Sequence, residues 1–324
     1  MRKVKILVTG ISGYIGNKFL EKFVKGNNEA DIILNFKKKP EDHQKYSKYQ
    51  ITYNSIEKKF SFEGNVDVLV HIASEKYSHK KMWSTNYLGT KNILKWAINS
   101  GVKKFIYISS VSVYGRGNLG IVSEKSQSKP ADIYGQSKYA SERLIKKICK
   151  KNNIQYYILQ PSNVIDYELY FNFPLLNFIR SIKNNQFCFF GEPSNTYVNY
   201  VNLEDVVRCI IFMIERNNNS GAYILNEPIN LNELVHEIAQ YLDVAKPKRV
   251  LPQNMGYYAA TLGDLYQYLT KKNISFNSTV FSEMTNQVRY DGSLVARFLK
   301  FKYRYNIRHT VKQLVIKYSE KKLI

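Results

Sequence analysis

The sequence predicts an α/β fold, a doubly wound parallel sheet with a smaller C-terminal cap. A continuous apolar run at Val4–Thr9 is typical of a parallel strand buried on both faces. Three glycines follow it directly, and the amphipathic segment Asn17–Val24 comes next. Strand-like and helix-like segments alternate through the first half of the chain, and the alternation loosens after Pro161.

The glycine spacing G-x-x-G-x-x-G predicts a turn that holds a diphosphate. Unpaired N–H groups and the positive end of the helix dipole point toward a ligand at a helix N-terminus. Gly10 would allow the tight turn, Gly13 the close approach of phosphates, and Gly16 close packing of helix on strand. We therefore expect a Rossmann-type unit, and a glycine turn without a ligand is the alternative.

The remaining elements of the first half follow in order. Each predicted strand is a short apolar run, and each predicted helix carries apolar residues at helical spacing. The predicted strands are Asp31–Asn35, Gln50–Tyr53, Val66–Ala73, Lys104–Ser110 and Gln155–Leu159. The predicted helices are Asn86–Asn99 and Tyr134–Lys151.

The second half contains helix-like segments among aromatic and Asn-rich stretches. A late strand at Ala222–Asn226 is expected to return to the sheet. We therefore assign residues 1–165, with a returning segment near residues 196–226, to a Rossmann domain, and residues 166–324 mainly to a substrate-binding cap. The predicted helices of this half are Leu175–Asn184, Glu204–Glu215, Leu231–Tyr241 and Thr310–Ser319.

Composition and charge exclude several classes of protein. No stretch approaches the roughly 20 apolar residues of an integral membrane segment. The start of the chain has no signal-peptide pattern, and three cysteines without a C-x-x-C fit a reducing compartment, so we expect a cytoplasmic protein. The five histidines lack metal-ligand spacing, so no metal is expected, and His71 on a buried strand is expected to be a core residue.

The net charge of +22 requires an explanation. No zinc-finger, homeodomain or similar motif occurs, so we expect no nucleic-acid partner. The wealth of Lys, Asn, Ile and Tyr favours a general compositional bias as the cause. Attraction of anionic substrates or peripheral contact with a membrane surface is the alternative.

Three residues predict oxidoreductase chemistry. Ser110 ends a strand, and Tyr134 and Lys138 share a helix face at i and i+4. A nearby ammonium would favour the phenolate, so Tyr134 could exchange the proton of an alcohol near pH 7. Such an exchange accompanies hydride transfer to or from a nicotinamide, with Ser110 holding the same oxygen in line. An exposed helix-face Lys138–Glu142 ion pair is the alternative for the lysine.

With these features the chain resembles an extended short-chain dehydrogenase/reductase of the NAD-dependent epimerase/dehydratase family. The resemblance covers nearly the whole chain and rests on six segments. Four of them are similar to the family motifs T-G-x-x-G-x-x-G, D-x-V-x-H-x-A-A, N-V-x-G-T and V-x-V-x-D-V, namely Thr9–Gly16, Asp67–Ser74, Asn86–Thr90 and Val201–Val206. The other two, Ser109–Gly115 and Pro161–Val164, are similar to the segment that carries the catalytic hydroxyl and to R-P-x-N-V-Y-G.

The resemblance implies a nucleotide-linked sugar as substrate and roles for individual residues. The helices Asn86–Asn99 and Tyr134–Lys151 resemble the pair that forms a homodimer interface in the family. Substrate contacts are implied for Ser112, Asn163 and Tyr197. Cofactor contacts are implied for Gly10, Ser12, Gly13, Tyr14, Ile15, Gly16, Asn35, Lys37, Ile72, Ala73, Asn86, Tyr134, Lys138, Pro161 and Val164.

The chain departs from the family pattern in two places. The family motif has an Arg before its Pro, but this chain has Gln160 before Pro161. The glycine that ends the motif is replaced by Asp166 or is missing. These differences remove the family basis for substrate contacts near residue 160. Dehydratases carry an Asp-Glu pair after the catalytic hydroxyl, but Val111 and Ser112 stand there. This difference counts against a 4,6-dehydratase.

The second strand predicts the cofactor preference. An acid about 20 residues beyond the last glycine would bind the ribose 2′-hydroxyl of NAD. Asn35 stands there instead, and Lys37, Lys38 and Lys39 follow it. We therefore expect NADP(H) to be preferred over NAD(H), and a solvated lysine run is the alternative.

Together these features predict an NAD(P)-dependent 4-ketoreductase of a nucleotide-activated sugar. A nucleotide-sugar 4-epimerase with tightly held NAD is the first alternative, because both reactions share their first half. A non-catalytic dinucleotide-binding scaffold is a remote alternative, and the intact Ser110, Tyr134 and Lys138 argue against it.

Overall fold

The computed structural model describes residues 3–26, 30–115, 120–167, 173–217, 219–272, 274 and 276–324. Each predicted strand forms to within a few residues of its predicted bounds, and the described residues add seven short strands that were not predicted. The strands are β1 Val4–Thr9, β2 Ala30–Phe36, β3 Gln50–Tyr53, β4 Val68–His71, β5 Lys104–Ile108, β6 Gly120–Val122, β7 Gln155–Pro161, β8 Asn163–Ile165, β9 Phe189–Phe190, β10 Tyr197–Asn202, β11 Gly221–Leu225, β12 Glu227–Asn230, β13 Val250–Leu251 and β14 Val288–Tyr290.

The helices that were predicted all form, and the structure adds others. The α-helices are α1 Tyr14–Lys25, α2 His79–Met82, α3 Gly89–Asn99, α4 Ile133–Lys151, α5 Phe173–Lys183, α6 Leu203–Glu215, α7 Leu231–Tyr241, α8 Gln253–Thr270, α9 Ser278–Met284, α10 Ser293–Leu299 and α11 Ile307–Glu320. The predicted helix at Asn86–Asn99 starts earlier, because α2 continues through a π-helical turn, Trp83–Leu88, into α3.

Within the described residues, seven parallel strands form the main sheet in the order β11-β7-β5-β4-β1-β2-β3. The strand order reverses between β1 and β4, so a crevice opens beyond their carboxyl ends. The late strand β11 pairs in parallel with β7, from Gly221 opposite Tyr157 to Leu225 opposite Pro161. The predicted Rossmann-type sheet and its returning strand are therefore confirmed.

Alternate residues of the central strands belong to two hydrophobic cores, one on each face of the sheet. On β1, Ile6 and Val8 face a core built with α1, α6 and α10, and Leu7 faces a core built with α3 and α4. Each strand is therefore buried on both faces, which explains its continuous apolar sequence.

The second half of the chain adds a further core and smaller sheets. Helices α5, α7 and α11 pack around β10 and β12 in a hydrophobic cluster of their own. The strands β12, β10 and β8 form one small sheet, and β13–β9 and β14–β6 form two more. The division of the chain near residue 165 into two domains stays a prediction.

Candidate active site

The glycine turn has the geometry that its spacing predicts. Gly10 has φ +77°, and a Cβ there would lie 2.4 Å from the backbone nitrogen of Ala73. A Cβ at Gly16 would lie 2.2 Å from the carbonyl oxygen of Gly10, so only glycine allows α1 to pack this closely on the turn. Gly13 caps α1 without a side-chain hydrogen bond, which leaves the N–H groups of the first turn directed toward the cleft.

A cleft of about 2370 Å³ opens beyond the carboxyl ends of β1, β4, β5 and β7. It brings together residues that are far apart in the sequence. The residues expected to contact cofactor or substrate that line it are Gly10, Ser12, Gly13, Tyr14, Ile15, Asn35, Lys37, Ile72, Ala73, Ser110, Ser112, Tyr134, Lys138, Pro161, Asn163 and Val164.

Three expected site residues lie outside the described lining of the cleft. Gly16 sits behind it, at the contact of α1 with the glycine turn. Asn86 is 1% exposed and supports one wall. Tyr197 lines a separate depression of about 530 Å³ beside Arg289, and its contact with the substrate stays a prediction. The next residues of β10, from Val198 to Tyr200, line the cleft in its place.

The catalytic candidates share one wall of the cleft. The Lys138 Nζ lies 5.8 Å from the Tyr134 ring centroid and 4.7 Å from that of Tyr107. It donates a hydrogen bond of 2.7 Å to the Ile108 carbonyl at the end of β5. The Ser110 Oγ lies 3.0 Å from the Ser112 Oγ, so these two hydroxyls form a pair on the adjacent loop.

Burial has the largest effect on the pKa values of Lys138 and Tyr134. It lowers the pKa of Lys138 to about 7, against the negative charge of Glu142. It also raises the pKa of Tyr134 to about 12, although a hydrogen bond with Ser74 acts in the other direction. Burial is the largest cause of this shift, so in this geometry it opposes the lowering of the Tyr134 pKa that the neighbouring ammonium was expected to produce.

A buried hydrogen-bond network supports the wall behind Lys138. Glu142 accepts hydrogen bonds from the Ser109 hydroxyl and from the Gln160 Nε2, the latter at 2.8 Å. Gln160 also accepts a 2.9 Å hydrogen bond from the Tyr114 hydroxyl. Glu142 forms an ion pair with Lys146, at 3.6 Å, and Lys138 is buried, so an exposed Lys138–Glu142 ion pair does not form. Gln160 is a structural residue in this network.

Asn86 connects the loop after β4 to helix α4. Its Nδ2 donates to the Glu75 carbonyl and the Ser137 hydroxyl, both at 2.9 Å. Its Oδ1 accepts from the Glu75 backbone N–H and from the Ser74 hydroxyl. The π-helical turn that contains Asn86 therefore fixes the position of Ser74, the partner of the Tyr134 hydroxyl.

The end of the cleft beside β2 was expected to carry only positive charge, but the structure also places a carboxylate there. Asn35 is buried, and its amide exchanges hydrogen bonds with the backbone of Asn54. The Lys37 Nζ lies 2.9 Å from a Glu57 carboxylate oxygen, and Glu57 also accepts a hydrogen bond from Thr85. These contacts hold the pKa of Glu57 below its usual value, so a carboxylate stands next to the expected cation.

Sequence reasoning missed three residues of the site. Ser74 stands where the family motif has its last Ala, and this difference could have identified it. Glu142 follows Lys138 by one helical turn, so the spacing places both on one face of α4. The spacing does not predict the hydrogen bonds that Glu142 accepts from Ser109 and Gln160. Glu57 had no sequence signal, because it reaches Lys37 only through the pairing of β2 with β3.

His71 behaves as predicted. Its ring lies between Thr9, at 2.7 Å, and Thr90, at 3.0 Å, and it is fully buried. Burial and the Lys138 charge lower the pKa of His71 to about 3. The prediction of a core histidine is confirmed.

Known proteins share this fold and these segments. A relative from Escherichia coli O157:H7, "N-acetyl-alpha-D-glucosaminyl-diphospho-ditrans,octacis-undecaprenol 4-epimerase", is 24% identical over 90% of this chain and 88% of its own. A "dTDP-D-glucose 4,6-dehydratase" from Dictyostelium discoideum is also 24% identical, over 71% of this chain. This chain spans 60% of the length of that dehydratase.

A solved structure confirms the fold across the full chain. The UDP-glucuronic acid 4-epimerase of Bacillus cereus, solved in complex with NAD, superposes with a TM-score of 0.70. The match has 18% identity and covers 99% of this chain and 100% of that one.

The sequence profile of the NAD dependent epimerase/dehydratase family matches residues 6–230. This range contains the glycine turn, the helices α1, α3 and α4, and the returning strand β11. The chain belongs to the NAD dependent epimerase/dehydratase family.

Proposed function

We propose that the chain oxidises and reduces carbon 4 of a nucleotide-activated sugar with a nicotinamide dinucleotide. One observation carries the proposal: Ser110, Tyr134 and Lys138 line the same cleft as the glycine turn. A diphosphate site and a proton-exchanging hydroxyl in one cleft are what this reaction needs.

The residues present fit a dinucleotide. Gly13 leaves the helix N-terminus without a side-chain cap, and Gly10 and Gly16 give the close turn beneath it. We propose that these glycines and Ser12 hold the diphosphate, and that Ile72, Ala73, Pro161 and Val164 bound the rest of the ligand. The chemistry that a bound nicotinamide dinucleotide supplies is reversible hydride transfer.

The chain's own residues handle the proton in this proposal. The phenolate of Tyr134 takes the proton of the sugar hydroxyl during oxidation, and the resulting phenol returns it during reduction. Burial raises the pKa of Tyr134 to about 12, so the phenolate is the minor form in the chain without a ligand. Ser110 and Ser112 hydrogen-bond the same sugar oxygen, and Asn163 contacts the sugar from the opposite loop. Lys138 carries its positive charge near the Tyr134 ring mainly below neutral pH, because burial lowers its pKa to about 7.

The relatives favour 4-epimerisation over one-way 4-ketoreduction. Two of the proteins described above are named as 4-epimerases. Epimerisation requires room for the 4-keto sugar to present its other face, and a cleft of this size provides it. Ketoreduction, the reaction predicted from the sequence, is the second candidate because it uses the same residues. The Val111 and Ser112 positions argue against dehydration.

For the cofactor, we propose a modest preference for NADP(H). The lysines at positions 37–39 are exposed and attract a 2′-phosphate, and Asn35 presents no charge to repel it. Glu57 limits the preference, because it partly neutralises Lys37. A lower dissociation constant for NAD⁺ than for NADP⁺ in a titration would contradict this proposal.

The first test replaces the proton-exchanging hydroxyl. Tyr134→Phe should lower the turnover of the active sugar nucleotide by about 10²–10⁴-fold, the usual contribution of general acid–base catalysis. Dinucleotide binding should change little, because the ring stays in place. Turnover is measured by separating the 4-epimers after incubation with a panel of sugar nucleotides.

The matched control is Tyr139→Phe, on the same helix but outside the described lining of the cleft. Its turnover should equal that of the wild type. Epimers formed without added cofactor support the epimerase, and stoichiometric consumption of NADPH with a 4-keto sugar supports the ketoreductase. A Tyr134→Phe variant with wild-type turnover rejects the site.

A further inference from the structure

Helix α8 contacts the rest of the protein along a narrow stripe of small residues. Gly256, Ala260 and Gly263 are its buried positions, and they recur at helical spacing. A Cβ at Gly256 would lie 2.5 Å from the rings of Phe190 and Phe281. Fourteen of the 18 residues of α8 are exposed, so the helix lies on the surface.

The opposite face of α8 is apolar. Its side chains follow one another at intervals of three and four residues, so they form a continuous row along the helix. Each of them is at least half exposed, from 50% at Tyr266 to 69% at Leu269. The α8 ridge, as we call this row, consists of Met255, Tyr258, Leu262, Leu265, Tyr266 and Leu269.

Basic residues stand at both ends of the α8 ridge. Lys248 and Arg249 precede the helix and Lys271 and Lys272 follow it, and all four are exposed. From residue 246 to residue 272 the sequence carries five basic residues and one acid, Asp264. That acid accepts hydrogen bonds from Ser278. The segment that carries the ridge therefore has an excess of positive charge.

We propose that the α8 ridge docks on an anionic phospholipid bilayer. An apolar helix face flanked by cations is the composition that lies in a membrane interface and is attracted to anionic headgroups. The tyrosines of the ridge suit the same depth, because their rings are apolar and their hydroxyls stay hydrated. In the described residues no helix is long and apolar enough to cross the bilayer, so α8 docks without spanning it.

The charge argues for a bilayer over a second copy of the chain. Two copies joined through the α8 ridge would bring the same basic ends close to each other, and like charges would oppose the contact. A bilayer that contains phosphatidylglycerol supplies the opposite charge over the whole surface.

Docking would place the mouth of the cleft at the membrane. Gln253, Met255 and Ala259 of α8 line the cleft, and Met255 also belongs to the ridge. A substrate carried by a membrane lipid would then reach the cleft without leaving the bilayer. The docking itself does not rest on the proposed reaction, because it depends only on the surface of α8.

The test is sedimentation of the full chain with lipid vesicles. The wild type should bind vesicles of phosphatidylcholine and phosphatidylglycerol, and bind more weakly to phosphatidylcholine alone. The double variant Leu262→Glu, Leu265→Glu should weaken binding by about tenfold or more, because each leucine buries apolar area in the interface. The matched control is Phe298→Glu, an equally exposed apolar residue on α10.

A second variant tests the charge. Lys271→Gln, Lys272→Gln should weaken binding to the anionic vesicles and leave the binding to phosphatidylcholine unchanged. Wild-type protein that stays in solution with both kinds of vesicle overturns the proposal. So does a molar mass in light scattering that falls in the leucine variant, because it would assign the ridge to a second copy. Failure of the sugar-nucleotide assay leaves these outcomes unaffected, because they are read from vesicles and mass.

Discussion

Glu57 is the carboxylate that faces Lys37 across the end of the cleft beside β2. Its position depends on the loop after β3, which no local pattern in the sequence specifies. Lys37 is more than half exposed, so the energy of this pair is modest, about 0.2–1 kcal/mol. A modest energy at this position is still enough to shift the balance between two cofactors that differ by one phosphate.

We expect Glu57→Gln to raise the preference for NADP⁺ over NAD⁺. The change removes the negative charge beside Lys37, so the ratio of the two dissociation constants should shift by about two- to fivefold toward NADP⁺. Fluorescence titration with each dinucleotide measures the ratio. The control is Glu63→Gln, an exposed acid outside the described lining of the cleft. An unchanged ratio would show that Glu57 does not face the ribose.

His71 should make the stability of the fold depend on pH. Its pKa is about 3 in the folded chain and about 6.5 when the chain is unfolded. Between these values the unfolded chain binds the extra proton, so the free energy of unfolding falls as the pH is lowered from about 6.5. The contribution is about 1.4 kcal/mol for each pH unit in this window.

The measurement is urea unfolding at several pH values for the wild type and for His71→Asn. The variant should be less stable at pH 7, because it loses contacts with Thr9 and Thr90, but its stability should fall less steeply below pH 6.5. His79→Asn, at an exposed position, should keep the wild-type slope. Equal slopes in all three proteins would mean that folding does not lower the pKa of His71.

At the level of single residues, the sequence predicted what local chemistry determines. Tyr134 and Lys138 share a helix face by spacing alone, and Ser110 lies where β5 ends. The acidity of Tyr134 could not be predicted in this way, because its pKa depends mainly on burial, which no local pattern in the sequence specifies.

Among the elements, the contact of α1 with the glycine turn is a close one on which the site depends. Gly16→Ala places a Cβ 2.2 Å from a backbone oxygen, so the helix must move away from the strand. We expect the free energy of unfolding to fall by about 1–3 kcal/mol, as in other overpacked sites. Thermal unfolding without ligand measures this loss.

The control for this prediction is Gly13→Ala. Its Cβ would meet only the Gly10 carbonyl oxygen, at 3.3 Å, so the fold should keep most of its stability. The new methyl group would stand where phosphates approach, so dinucleotide affinity should fall. If both variants lost stability equally, the different roles assigned to the two glycines would be wrong.

Helix α8 shows where pattern reasoning fails for an element. A helix is recognised by an apolar row that faces the core. In α8 the row that faces the core is Gly256, Ala260 and Gly263, and the large apolar residues point outward. The strands were easier to predict, because their burial on both faces makes each of them a continuous apolar run.

At the scale of the whole molecule, we propose a homodimer formed through α3 and α4. Trp83 and Leu88, in the π-helical turn that leads into α3, are 43% and 45% exposed. Two large apolar side chains that far exposed beside these helices favour a covered surface. The family resemblance and this exposure are the support for the proposal.

Leu88→Glu should therefore convert a dimer into a monomer. Two copies of the new carboxylate would be buried in the interface, and a buried unpaired charge is strongly unfavourable. Light scattering should show the molar mass falling by half. Ile121→Glu, at a residue 68% exposed elsewhere on the surface, should leave the mass unchanged. A monomeric wild type would exclude the dimer.

The late return of β11 to the main sheet has a consequence for synthesis of the chain. The sheet needs residues up to Leu225, but β7 is complete at Pro161, 64 residues earlier. At about 5–20 residues per second, the ribosome needs roughly 3–13 s to bridge this interval. During that time the outer edge of β7 carries unpaired backbone groups that can join another nascent strand. The rate of translation between residues 161 and 225 should therefore influence how much of the protein aggregates before it folds.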